Sequence, residues 1–210
     1  MADVKQPSAR TRKARETRNR ILAAAQELFI EQGYGVTNLK EVAERAGVAV
    51  QTIYFVFGNK RMLLKELVDV VIAGDDEPIA TMERPWFTGA LAAGDAEGFL
   101  QAYVTGVSGV LERVAEILEV LKTAVAMDPE MAELWPSDRD PRLAVQRAAA
   151  EALVAKPGAR AGLSADEATD LLYGVLSPEL YLVFTRQRGW APQRWREWAL
   201  ATLDSQLREP

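Results

Sequence analysis

The stretch NLKEVAERAGVAVQTIYFVFGNK, running from Asn38 to Lys60, decides how this chain is read. Asn38 stands three residues ahead of Glu41, the spacing of a capping box in which each side chain satisfies the other's backbone N–H. Leu39, Val42, Ala43 and Ala46 then recur at i, i+3, i+4 and i+7, one apolar face of an amphipathic helix. Gly47 ends that helix early. A second short helix is expected from about Val50 to Phe57, before Gly58-Asn59 breaks the chain again. Two short helices joined by a glycine turn read as a helix-turn-helix over about residues 38–57, with the small Ala43, Ala46 and Gly47 allowing a close, steep crossing. A plain helical hairpin fits the same periodicity, so the surroundings have to decide.

Upstream, Ile21, Ala25, Leu28 and Phe29 mark the buried face of a helix that starts near Arg15 and stops at Gly33. Residues 1–14 lack such periodicity and read as a flexible basic arm. Residues 1–66 hold 12 Lys and Arg against 7 Asp and Glu, whereas residues 67–210 hold 13 against 23, so the net charge of −5 hides a basic head on an acidic body. A run such as Arg10, Arg12, Lys13, Arg15, Arg18 and Arg20 is, alone, as well explained by a solvated tail. Next to a helix-turn-helix it points to a polyanion, and the pair together favour DNA.

Downstream, a fourth helix is expected over about Lys60 to Ala73, closing a domain of residues 15–74. Residues 75–94 read as a mixed connector. Further helices are expected from Asp95 toward Leu111, from Glu112 to Ala126, from Asp128-Pro129, and from Pro141 to about Ala155. Ser164 to Glu167 reads as another capping box, Ser177-Pro178 as a break, and Pro192 to Leu207 as the last helix. Strand-like alternation is missing, so the fold class is all-α: a three-helix N-terminal helix-turn-helix domain and a helical domain over residues 75–210.

The chain has no Cys and no His, which removes thiolate chemistry, zinc-thiolate sites and the commonest general base and metal ligand. No catalytic motif stands out, so the chain reads as a non-enzyme with no cofactor and no metal. No apolar run reaches the roughly 20 residues of a membrane span, and no secretory signal is visible; a cytoplasmic protein that binds no membrane is expected.

Residues Arg15 to about Gly74 resemble the N-terminal domain of the TetR/AcrR family of transcriptional regulators. The likeness rests on Thr17 to Ala25, Phe29, Gly33-Tyr34, Thr37 through Val48, Thr52-Ile53-Tyr54, Phe57, Lys60 and Leu63-Leu64. Weaker likenesses follow at Asp128-Pro129-Glu130, Gly162-Leu163-Ser164, Ser177 to Tyr181, Gly189-Trp190 and Trp198. The resemblance implies a homodimeric repressor that binds an inverted-repeat operator in double-stranded DNA and is released by a small-molecule effector. It places the third helix in the major groove, with Gln51 suited to adenine. Thr52, Tyr54 and Lys60 fall at phosphate-contacting positions, and Thr37 with Asn38 at the start of the second helix faces another phosphate. Several residues depart from the family's commoner pattern. Ala49 replaces a capping Ser, Val50 a frequent cation, and Phe55 and Val56 a polar residue and a hydroxylated aromatic. Val50 and Phe55 suit thymine methyl groups, although Phe55 is equally explained by packing.

The same resemblance puts an effector pocket and a dimer interface in residues 75–210. Phe99, Tyr103, Met127, Trp135, Tyr173 and Tyr181 are the candidates to line the pocket for an apolar or amphiphilic organic effector, with ordinary core packing as the alternative for each. Tyr181, Trp195, Trp198, Ala199, Thr202 and Leu203 are the candidates for the dimer, because the last helix is apolar over more than one stripe. A non-specific architectural DNA binder, an enzyme with a DNA-binding head and a helical adaptor are the rival readings.

Overall fold

The computed structural model describes residues 9–74, 79–135 and 140–209. Among them the chain is all-α: α1 (Ala9–Gln32), α2 (Leu39–Ala46), α3 (Val50–Phe57), α4 (Lys60–Ala73), α5 (Pro85–Leu91), α6 (Ala96–Met127), α7 (Pro129–Leu134), α8 (Pro141–Val154), α9 (Ala165–Val175), α10 (Pro178–Leu182) and α11 (Pro192–Leu207). A 3-10 turn covers Thr81–Glu83 and a π-helical segment Val183–Gln187. The residues fall into two compact units, one of 1–69 with 120–134 and one of 70–119 with 135–210.

The core of the first unit comes from the apolar faces read in the sequence. Ile21, Leu22, Ala25, Leu28 and Phe29 of α1 are buried, as are Val42, Ala43 and Ala46 of α2, Ile53 and Phe57 of α3, and Leu63, Leu64, Leu67 and Val68 of α4. The capping box forms: Asn38 Oδ1 accepts from the N–H of Lys40 and of Glu41 at 3.0 Å each, and the Glu41 carboxylate takes the Asn38 N–H at 3.5 Å. The expected arm is partly regular, because residues 9–14 belong to α1; residues 1–8 lie outside the described residues.

In the second unit α8 packs against α9, and α11 against α9. Phe87, Phe99, Leu100, Tyr103, Leu153, Leu172, Trp195 and Leu203 lie in one buried cluster. The end of the chain is pinned back by Arg160 N–H to Leu207 O and Glu209 N–H to Gly158 O, around a single antiparallel bridge between Ala159 and Arg208. Three expectations are corrected. The connector read over 75–94 contains the 3-10 turn and α5, which starts at Pro85 as prolines start helices. The two helices read over 95–126 are one 32-residue helix, since neither a cap nor a proline stands at Leu111-Glu112 to stop it. At Ser164 only half of a capping box forms: the hydroxyl accepts from Glu167 N–H at 3.1 Å, but the Glu167 carboxylate pairs with Arg160 at 2.5 Å.

α6 also holds a close approach. A Cβ on Gly106 would stand 2.9 Å from Trp86 Cδ2 and nearer still to Cε3, so the indole fills the place of a side chain. Trp86 in turn meets the Phe87 ring at 5.6 Å and the Tyr103 ring at 6.0 Å. Glycine inside a helix ordinarily costs about 1 kcal/mol against alanine, but here the indole reverses the sign. Gly106→Ala should destabilise the chain by about 1–3 kcal/mol through overpacking. Gly109→Ala, whose Cβ would meet nothing closer than 3.9 Å, should stabilise it slightly. Urea unfolding of both variants checks this, and equal shifts would refute the packing argument.

Candidate nucleic-acid interface

The turn between α2 and α3 is made by Gly47, at φ 64°, a left-handed backbone that only glycine adopts without cost. Val48 N–H closes back on Ala43 O at 3.0 Å, the six-residue bond of a Schellman ending. Arg20 reaches across from α1 and donates to Ala46 O at 3.2 Å, placing a cation where the helix dipole favours one. Because Ala46 and Ala43 are small, α3 lies close against α2 with Ile53 and Phe57, one turn apart, turned inward.

That placement fixes the opposite face. Gln51, Tyr54, Phe55 and Val56 are exposed, Phe55 by 91% and Tyr54 by 54%. Val50 and Thr52 are half-buried at the edges. Ala49 provides no side-chain cap, as the sequence suggests, and α3 carries no charged residue. The interface read from the sequence is therefore presented by Gln51, Tyr54 and Phe55, with Val50 and Thr52 beside them.

The flanking residues behave differently from their reading. Thr37 is buried, and its hydroxyl donates to Gly33 O at 2.9 Å with Leu28 O at 3.2 Å, so it anchors the α1–α2 loop and does not face outward. The Asn38 side chain already occupies the N–H groups of Lys40 and Glu41, which removes them as free donors for a phosphate. Lys60 Nζ donates to Tyr34 O at 2.7 Å and Thr37 O at 2.9 Å and lies 4.3 Å from the centre of the Tyr34 ring. Burial depresses its pKa, against the pull of Asp128. Lys60 thus staples the loop that leads into α2, with one of its three N–H donors left for another acceptor.

Several other cations are also engaged within the unit. Arg18 pairs with Glu66 at 2.8 Å, and Arg45 with Glu31 at 2.9 Å and Glu27 at 3.5 Å. Arg10, Arg12 and Lys13 are exposed on the first turns of α1, with Arg12 in a loose 3.9 Å pair to Glu16. Sequence reading missed Arg61. Its guanidinium donates to Asp128 at 2.7 Å and to Glu130 at 2.7 Å, which holds Asp128 below the usual carboxylate range. The partners are 67 and 69 residues apart, so no local signal announces them. A cleft of about 430 Å³ lies here, lined by Tyr34, Gly35, Lys60, Arg61, Met127 and Asp128 among others.

Of the six pocket candidates, Phe99, Tyr103 and Tyr181 lie in one buried core cluster of the second unit. Phe99 and Tyr103 are fully buried and stacked at 5.5 Å, and the Tyr103 hydroxyl donates to Gln146 at 2.8 Å. Met127 is 64% exposed and belongs to the first unit, where its methyl group lies 3.1 Å from the place of a Cβ on Gly35. Tyr173 donates to Asp140 at 2.5 Å and accepts from Arg142 at 2.9 Å; Tyr181 packs edge-on against Trp195 at 4.9 Å; Trp135 is half-buried. The dimer set also divides. Trp195, Ala199 and Leu203 are fully buried and Tyr181 nearly so, which withdraws them from a partner's reach. Trp198 and Thr202 stay partly exposed on the flank of α11, Trp198 4.6 Å from the Phe184 ring.

The model of the family described as "Bacterial regulatory proteins, tetR family" matches residues 21–67. The transcriptional regulator YvkB of Bacillus subtilis, itself uncharacterized, is 44% identical over 54 residues, covering 26% of this chain and 29% of its own length. The transcriptional regulator TtgR of Pseudomonas putida is 43% identical over 56 residues, 27% of each chain. The match thus spans less than a third of these relatives. Over nearly the whole chain the backbone resembles NalD, the secondary repressor of the MexAB-OprM multidrug efflux pump in Pseudomonas aeruginosa, with a TM-score of 0.65 at 21% identity, covering 93% of this chain and 98% of that one. At that identity the likeness carries the fold.

Tyr34 offers a test of the loop geometry. Burial, and then the neighbouring Asp128 carboxylate, push its phenol from 10.0 up to about 12. A raised folded-state pKa gives stability that is complete below pH 10 and is lost as pH rises through about 12. Tyr34→Phe should flatten the decline of unfolding free energy between those limits, and an unchanged slope in denaturant titrations would contradict the geometry.

Proposed function

We propose that this chain, whose residues 21–67 match the tetR family of bacterial regulatory proteins, is a sequence-specific transcriptional repressor of that family. In this reading a homodimer binds an inverted-repeat operator in double-stranded DNA and a small-molecule effector releases it. One observation carries the proposal: α3, oriented by the Gly47 turn, turns Ile53 and Phe57 inward and offers Gln51, Tyr54 and Phe55 outward. An eight-residue helix of this kind fits a major groove about 12 Å wide.

The first turns of α1 support the reading. The positive end of a helix dipole disfavours cations, yet α1 starts with Arg10, Arg12 and Lys13 and has no acidic residue in its first turn. A polyanion alongside turns that cost into a gain. Tyr54 and the remaining donor of Lys60 serve phosphates, Gln51 a base edge, and the dimer sets the two α3 helices about 34 Å apart or at another face-matched spacing. The partly exposed flank of α11, with Trp198 and Thr202, is the part of the predicted dimer surface still available to a partner. For release, the Arg61 pairs with Asp128 and Glu130 hold the junction of α6 and α7 onto the start of α4, so an effector that displaces this junction disturbs the helix next to α3. A coupling of roughly 1–3 kcal/mol is enough to change operator affinity about 5- to 150-fold. The effector is expected to be an apolar or amphiphilic organic molecule.

Selection of bound sites from random duplex DNA should return an inverted repeat, and Gln51→Ala should weaken binding to it about 5- to 150-fold. Affinity without a preferred site would instead favour a non-specific architectural binder. Deleting residues 1–12 should reduce the slope of affinity against salt, since every phosphate that is no longer neutralised takes close to one unit off that slope. Electrophoretic mobility assays at several salt concentrations measure both effects.

A further inference from the structure

Phe55 is the most exposed large apolar side chain among the described residues, at 91%, and it sits on the one helix offered to DNA. Leaving a phenyl ring in water gives up the burial that normally governs where aromatic residues go. Packing within the chain does not explain it, because Ile53 and Phe57 fill the inward face of α3 completely. Gln51 and Phe55 are four residues apart, hence neighbours on the same face. Their separation along the helix is about 6 Å, at 1.5 Å per residue, which is close to two base steps of 3.4 Å. The face contains an amide, a phenol, a phenyl ring and valine, and no cation that would take up the paired acceptors of guanine.

We propose that Phe55 is a specificity-determining residue that reads the 5-methyl group of thymine, within about two base pairs of an adenine read by Gln51, so that each half-site has an A·T-rich centre. The inference rests on the operator-binding reading above and narrows it. Major-groove thymine differs from uracil only in that methyl group, and its transfer from water to an apolar contact is what the ring supplies. Val56, 37% exposed, borders the face next to Phe55.

The test uses the full chain and duplexes obtained by site selection. Each thymine of the half-site is replaced in turn by deoxyuridine, which deletes the methyl and keeps every hydrogen-bonding group. At one or two positions per half-site the affinity should fall about fourfold per methyl, the scale of one buried methyl group. Phe55→Ala should bind the thymine and uracil duplexes alike at those positions, while Phe55→Leu should keep part of the preference. Because Phe55 is exposed, neither variant disturbs the core, and an unchanged unfolding curve verifies this. Equal binding of thymine and uracil duplexes by the unmodified chain, or a preference that survives in Phe55→Ala, overturns the inference and leaves operator binding standing. Failure to bind any duplex at low salt removes the operator reading itself, and this inference with it.

Discussion

The direction in which α3 faces depends on one backbone conformation, the left-handed Gly47 with the carbonyls before it satisfied. Gly47 N–H donates to Ala43 O and Glu44 O, Val48 N–H to Ala43 O and the Arg20 guanidinium to Ala46 O, and together they close the end of α2. With that ending fixed, the rotation of α3 follows from burial: Ile53 and Phe57 go in, and Gln51 and Phe55 have nowhere to go but out. A side chain at position 47 would be strained whatever its size, and any relaxation there would turn α3 about its axis. A single left-handed residue therefore stands between the hydrophobic core and the polar chemistry at the surface.

Charge in the head is less available than its sequence suggests. Arg18, Arg20, Arg45, Lys60 and Arg61 all have partners inside the first unit, and each holds two helices, or a helix and a loop, at a defined separation. Exposed cations of the unit include Arg10, Arg12 and Lys13 on the first turns of α1 and Lys40 on α2. In the proposed DNA complex, α3, which has no cation, would contribute shape and apolar contact, and the cations beside it attraction.

The sequence disclosed the head almost entirely because its signals are local. The box at Asn38 and Glu41, the glycines at 33, 47 and 58, and the i, i+4 apolar pairs each act within a turn or two, and each forms as expected. The sequence is less informative where the folded loop brings acceptors to a side chain. Thr37 has a type suited to phosphate, but Leu28 and Gly33 take its hydroxyl, and Tyr34 O and Thr37 O occupy two of the three donors of Lys60. Among the aromatic residues of the second unit, type and periodicity do not separate a pocket wall from a core. Phe99 and Tyr103 have the pattern of either, and their burial decides for the core. Trp195 is a similar case: the breadth of the apolar surface of α11 suggests a partner, but half of that surface is consumed by the chain's own helices.

The division of α11 has a consequence for how tightly two copies are expected to hold one another. Trp195, Ala199, Leu203 and Leu207 lie at successive i, i+4 positions and form a complete inward stripe, so α11 is anchored in the monomer without help from a partner. The outward flank keeps Trp198 next to Phe184 and Trp190, with the Arg194 guanidinium 4.1 Å from the Trp190 ring. Such a cluster, already stacked on itself, has lost much of its side-chain freedom before any partner arrives, which lowers the entropic cost of association. A helix that must first be ordered by dimerisation would tie folding to protomer concentration. Here the inward stripe removes that requirement, so in the proposed dimer the folded unit would exist on either side of the association equilibrium, and two half-sites on one operator would help bring the copies together.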